Sequence, residues 1–356
     1  MPMTSLERVK TAINHKEPDI VPVGPYMGNH GAQAANVSLK DYYTNGRVMA
    51  DAQYKAWELY GQDIVVPQSD GYYIAEGFGA VTEYRIDSTP TVKKHAINNL
   101  FEVCKLKVPD PSKDGRMPVY LEAIQLLSQK LKCDVCVRAT GTGPFSLASH
   151  LIGIDNFLNA ILDAEYGGDS DTEKAIHDLL HLATQATASF ALAALEAGAN
   201  IVQAGDSLAS LDMISPSIYE KYAFPYEKAF FDEIRPYKEK KDAAALLHIC
   251  GNTTKIINLL AQTGADILEV DYKVDLAYCK RQIGDRICLM GNLNPAGNLL
   301  SGKPEDVAKE AVQCIQKAGK NGGFILGSGC EVAIHTPVEN LKAMIKVAGE
   351  HKYPLS

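Results

Sequence analysis

Ala244-Ala245-Leu246-Leu247-His248-Ile249-Cys250-Gly251-Asn252 is the stretch from which the architecture can be read. Residues 244–249 form an apolar run of strand length that ends on polar side chains. A strand has a side-chain period of two, so His248 and Cys250 point to one face. Helical patterns flank the run, at residues 216–235 before it and 254–262 after it. The first opens on Ser215-Pro216, a cap followed by proline in the first turn. The same unit recurs outward in both directions. Strand-like runs are expected at 20–23, 63–67, 135–139, 200–204, 244–249, 266–270, 286–290 and 323–326, with further amphipathic helical stretches at 117–131, 173–197 and 304–318. Alternating strands and helices imply a parallel sheet with right-handed crossovers. Eight such units suggest a closed α/β fold, the (β/α)8 TIM barrel. The expectation is one domain over residues 1–356, with a hairpin insertion after the second strand within residues 76–114, where Glu83-Tyr84-Arg85 and Thr91-Val92-Lys93 read as the two arms. An open doubly wound sheet is the alternative on pattern alone.

Composition sets the outer limits. Apolar residues make up 46% of the chain and charged residues 22%, which is ordinary globular material. A net charge of −8 argues against a nucleic-acid partner and against an anionic membrane surface. No apolar run is long enough for a transmembrane span, and the opening residues lack the basic-then-apolar profile of a signal peptide. Eight cysteines without such a signal read as reduced thiols of a cytoplasmic protein.

A barrel reading predicts polar residues just after the strands, at the catalytic face. Asp70 follows the second run, Thr140-Gly141 the third and Asp206 the fourth; His248 and Cys250 end the fifth. Asp271 ends the sixth, Asn292 and Asn294 follow the seventh, and Cys330 follows the eighth. On this reading His248, Cys250 and Cys330 converge at one mouth. Two sulfurs and one imidazole form a soft donor set suited to Zn²⁺ with one position open, where a substrate thiol could bind and lose its proton. The alternative for the same three residues is a buried histidine with two inert core cysteines.

Longer stretches add a resemblance. Segment 8–23, Gly141-Thr142-Gly143-Pro144-Phe145-Ser146-Leu147-Ala148, Gly264-Ala265-Asp266 through Val270-Asp271, Gly291-Asn292-Leu293-Asn294-Pro295, Gly327-Ser328-Gly329-Cys330 and Thr336-Pro337-Val338-Glu339-Asn340-Leu341 together resemble the uroporphyrinogen decarboxylase superfamily. Within it, the chain is similar to the zinc methyltransferases that act on methylcobamides. Decarboxylases carry an arginine-bearing loop after the first strand that holds their substrate's carboxylates; here Pro25-Tyr26-Met27-Gly28-Asn29-His30-Gly31 has no arginine. Where decarboxylases have a histidine at the eighth strand, this chain has Cys330, and His248, Cys250 and Cys330 match the methyltransferase pattern.

The resemblance implies an enzyme that moves a methyl group between a corrinoid and a small thiol, coenzyme M being the first guess, or a methylthio or methoxy substrate. It implies Zn²⁺ on His248, Cys250 and Cys330. Catalytic candidates are these three and Asp70; substrate-binding candidates are Asn29, His150, Asp206, Asp271 and Asn292. Glu76, Asp206 or water is the expected fourth ligand, and Asp271 is a candidate for orienting His248 from behind. Asp206 has a second reading as the cap of the helix that follows it. The methylcobamide is expected on a separate small corrinoid-binding protein, because the chain has no corrinoid-binding DxHxxG motif. Tetrapyrrole decarboxylation through Asp70 is the alternative, and a zinc-bearing docking module for a corrinoid protein a third. Cys133 and Cys136 form a CxxC, but with no second such pair they read as structural; His177 and His181, without an HExxH glutamate, read as a packed or solvated pair.

Overall fold

Seven of the eight expected runs pair into one parallel sheet in a computed structural model that describes residues 2–67, 70–132 and 134–355. In chain order the strands are β1 (Ile64–Val65), β2 (Val81–Glu83), β3 (Thr91–Lys94), β4 (Cys136–Ala139), β5 (Ile201–Gly205), β6 (Ala244–Ile249), β7 (Ile267–Val270), β8 (Cys288–Leu293) and β9 (Phe324–Ser328). The sheet order β1-β4-β5-β6-β7-β8-β9 follows the chain, each strand parallel to the next, and the sheet curls. β2 and β3 lie apart as an antiparallel pair.

Residues 20–23 differ from expectation in not forming a strand. Val23 makes only a parallel bridge to Leu326. Pro18, Pro22 and Pro25 bracket the segment, and a proline has no N–H to give a ladder. The segment is nevertheless tied on both sides. Leu326 N–H donates to the Pro22 carbonyl (2.8 Å) and Gly24 N–H to Leu326 (2.9 Å), while Asp63 N–H donates to Val23 (2.8 Å). A further difference is the stretch expected as one helix at 216–235. It breaks at Ala223 into Pro216–Tyr222 and Phe224–Lys240, the second opening on Pro225.

The period of two sorts the strand side chains into two cores. Ile64, Cys136, Ile201, Ala244, Leu246, Ile267, Cys288, Met290 and Ile325 pack together on the concave side, closed at one end by Val9 and Ala12 of the helix Ser5–Ile13. Their neighbours, such as Val137, Val202, Ala245, Leu247, Leu268 and Leu289, join the larger core under the helices. His248 and Cys250 continue the concave file of Ala244 and Leu246, which is how the strand aims them. Among the described residues no single helix is long and apolar enough to cross a membrane.

Arg8 locks the closed end to the sheet. Its guanidinium reaches Asp63 (2.6 Å) and Asp19 (2.7 Å), and the other oxygen of Asp63 accepts Val23 N–H (2.8 Å). Asp63→Ala strips one of two carboxylate partners from a buried guanidinium and the acceptor from a backbone N–H. It is expected to lower unfolding stability by about 3 kcal/mol, measured as a shift in the urea midpoint at unchanged slope.

Candidate metal centre

His248, Cys250 and Cys330 do converge. His248 Nε2 lies 3.1 Å from Cys250 Sγ, and Cys250 Sγ lies 3.3 Å from Cys330 Sγ. All three donor atoms fall within 4.8 Å of one another, the only such His/Cys/Asp/Glu group found among the described residues. Donors sharing one zinc at about 2.0–2.3 Å sit no more than about 4.6 Å apart, and the contacts of 3.1 and 3.3 Å lie within that span. Cys250 and Cys330 are half-buried, and His248 is buried. They line a cavity of about 330 Å³ with Tyr26, Asp70, Tyr72, His150, Ser207 and Glu331.

The three groups share charge. Hydrogen bonding from Cys330 and the nearby charge of His248 outweigh burial and pull the Cys250 thiol well below its ordinary range. Cys330, hydrogen-bonded to Cys250 and buried, is pushed up and stays a thiol. Burial opposes the charged imidazole of His248, but Cys250 and Glu269 together lift it to about 9. Ser207 Oγ adds a contact to Cys250 Sγ at 3.2 Å.

Behind His248 lies a buried polar layer that sequence reasoning missed. His248 Nδ1 is 3.1 Å from Glu269 Oε2. Arg138 grips both oxygens of Glu269 at 2.7 Å and both its Nε and Nη2 meet Gln203 Oε1 (2.8 and 2.6 Å). Burial alone would raise Glu269, but Arg138 and then His248 hold it below the usual carboxylate range. The guanidinium also lies 4.9 Å from the centre of the Tyr26 ring. A signal was available. Arg138 and Glu269 are charged residues inside apolar strand runs, each two positions along from an inward side chain, Cys136 and Ile267.

The remaining candidates separate. Asp70 and His150 line the cavity. Asp70 Oδ2 is held by Arg116 (2.6 Å) and Tyr120 (2.6 Å), and its Oδ1 accepts Tyr72 N–H (2.7 Å). His248 Nδ1 faces Glu269 and not Asp271, whose carboxylate accepts Gly251 N–H (2.9 Å) and Lys273 N–H (2.8 Å), shaping the turn after β6. Asp206 is not a fourth ligand. It is fully buried and caps the helix Pro144–Ile152 rather than the one after it, accepting Phe145 N–H (3.1 Å) and Ser146 N–H (2.6 Å). Glu76 is likewise engaged elsewhere, with Arg116 (2.8 Å) and Tyr84 (2.8 Å). Asn292 donates to the Asp271 and Val274 carbonyls (3.2 and 2.9 Å), away from the cavity. Asn29 accepts the Tyr43 hydroxyl and donates to Thr89 (3.3 Å), one residue removed from the cavity wall. Cys133 lies outside the described residues; Cys136 is buried in β4. His177 and His181 pack against Tyr226, His177 also stacking on Tyr222.

The profile of the family described as uroporphyrinogen decarboxylase (URO-D) matches residues 4–351. The chain belongs to the URO-D family. Within that family it is 33% identical over 280 residues to the methylcobamide:CoM methyltransferase MtbA of Methanosarcina acetivorans, covering 78% of this chain and 77% of that one. It is 27% identical to a methylated-thiol–coenzyme M methyltransferase of Methanosarcina mazei, over 99% of this chain and 91% of the relative. A solved methyltransferase structure from Methanosarcina mazei superposes with a TM-score of 0.85 at 27% identity, covering 98% of this chain and 99% of that one.

His150 offers a test of this geometry. Its Nδ1 lies 3.2 Å from the Gly71 carbonyl, and its ring packs 4.5 Å from Tyr72. Burial lowers its pKa to about 4, well under the ordinary value. The folded state therefore binds its proton less readily than the unfolded chain, so stability is lost as pH falls from about 6.5 towards 4. The ring resonances of His150 should stay those of a neutral imidazole from about pH 8 to 5 in an NMR titration, and move only as the pH approaches about 4. His150→Gln should flatten the acid side of the stability profile.

Proposed function

We propose that the protein is a corrinoid-dependent methyltransferase. It moves a methyl group between a methylcobamide, carried by a small corrinoid-binding partner protein, and a small thiol; in reverse it draws on a methylthio or methoxy compound. The observation that carries this reading is the convergence of His248, Cys250 and Cys330 on one cavity, in a chain 33% identical to a named methylcobamide:CoM methyltransferase. We read the curled sheet as a closed eight-membered barrel in one domain, segment 22–24 completing the ring between β9 and β1, and the β2–β3 pair as an insertion on its rim. The seven free cysteines among the described residues suit a reducing, cytoplasmic setting.

His248, Cys250 and Cys330 would hold Zn²⁺. When bound, the ion supplies a Lewis acid that lets a thiol be held as thiolate near neutral pH. Both cysteines then serve as thiolates and His248 as a neutral imidazole bound through Nε2. Glu269 takes the Nδ1 proton in a hydrogen bond, which fixes the tautomer and aims Nε2 at the site. Ser207 lies against Cys250 Sγ and limits how that sulfur can move. The cavity walls hold the substrate thiol so that its sulfur meets the methyl carbon in line with the carbon–cobalt bond. The S–C bond forms as the C–Co bond breaks, and the electron pair of the broken bond stays on cobalt, taking Co(III) to Co(I). Tetrapyrrole decarboxylation is disfavoured because neither lysine nor arginine lines the cavity among the described residues, so a substrate with many carboxylates has no partner there.

Three measurements bear on this. The purified protein should hold about one zinc per chain, and Cys250→Ser and Cys330→Ser should each lose it with little change in the far-ultraviolet circular dichroism spectrum. Cobalt(I) formation from methylcobalamin and a thiol should vanish in the double variant; turnover kept there would sink the mechanism. Glu269→Gln should weaken zinc affinity by about 10–100-fold in a chelator competition. Asp70→Asn should cost less turnover than either cysteine change, and the opposite ranking would favour the decarboxylase.

A further inference from the structure

Apart from the metal site itself, with His248, no cationic side chain lines the cavity around the candidate metal centre among the described residues. Four groups near its walls could have held an anion, and each already faces a carboxylate of the chain itself. Arg116 is taken by Asp70 (2.6 Å) and Glu76 (2.8 Å). Arg138 is fully buried and taken by Glu269 at 2.7 Å. The N-terminus of the helix Pro144–Ile152, whose residue Ser146 lines the cavity, donates Phe145 and Ser146 N–H to the buried Asp206. Asn29 N–H, at the start of the short helix Gly28–Ala34, is taken by Glu331 (2.9 Å).

The groups that do line the cavity point the same way. They include two carboxylates, Asp70 and Glu331, and no lysine or arginine among the described residues. His150 is held neutral by its burial. With Nδ1 donating to the Gly71 carbonyl, Nε2 of His150 is an acceptor. Tyr26 and Tyr72 also line the cavity, and the cation that lies over the Tyr26 ring is the chain's own Arg138.

We infer that the thiol substrate of this site carries an uncharged or cationic tail, and that sulfonate- and carboxylate-bearing thiols are poor ligands. The inference rests on the methyltransferase reading and deepens it, since it names the class of thiol. An anionic tail would be desolvated beside Glu331 with no compensating partner, whereas a hydroxyl or ammonium group finds acceptors there.

Three thiols with the same two-carbon spacer differ only in the tail: 2-aminoethanethiol, 2-mercaptoethanol and 2-mercaptoethanesulfonate. Their binding to the zinc-loaded protein is measured by isothermal titration calorimetry, and methyl transfer to each from methylcobalamin is followed in parallel. The amine and the alcohol should each bind at least about tenfold more tightly than the sulfonate, the ratio that one unmet charge–partner requirement commands. Equal or tighter binding of the sulfonate would overturn the inference, and methyl transfer to it would leave the proposed activity standing. If the affinity ranking holds but none of the three accepts a methyl group, the inference about the tail survives and the methyltransferase reading does not. Thr89, half-buried on the cavity wall, allows a gain-of-function control. Thr89→Lys should raise sulfonate affinity by about tenfold and weaken the amine; no gain for the sulfonate would mean that charge is not what excludes it.

Discussion

The buried pair of Arg138 and Glu269 is the constraint to which fold and site both answer. Neither group is exposed, and a charge in that position is tolerable only when partnered and hydrogen-bonded. The pair reaches from β4 to β7 across the concave side of the sheet, so those strands must face each other in a fixed register. Gln203 on β5 and the Tyr26 ring close the remaining sides of the guanidinium. The free edge of Glu269 then meets His248. The imidazole is thus aimed by a carboxylate whose own position is set three strands away.

Much of this was legible in the chain, and the parts that were not have physical reasons. Strand–helix alternation and the spacing of His248 and Cys250 follow from periodicity alone. Cys330 joins them because a parallel sheet gathers strand ends on one side. The first run, 20–23, misled because its apolar residues suit a strand while its prolines forbid a ladder. Asp206 caps the helix of the preceding unit rather than the one after it, and a side chain's partner in a neighbouring unit leaves no local pattern. Asp271 stands at a strand end, where function is expected, whereas Glu269 sits mid-strand, gives no such signal, and meets His248 from below.

One scaffold hosts different chemistries when the side chains at the strand ends change. Here the arginines near the cavity face carboxylates of the protein, so their charge is spent on internal order. What the cavity offers a ligand is soft sulfur at one end, with aromatic and acceptor groups around it.

Cys250 and Cys330 are 80 residues apart in sequence, and their sulfurs lie 3.3 Å apart. An ion gripped by both acts as a reversible cross-link that closes a long chain loop. Its occupancy is then coupled to the folding equilibrium, because the unfolded chain has no preformed site. With a metal bound, the last quarter of the chain, with its helices Pro304–Ala318 and Val338–Glu350, would be held by that clasp as well as by its own packing. A donor set of this kind makes metal supply in the cell a determinant of how long the folded molecule persists, independent of whether it is turning over substrate.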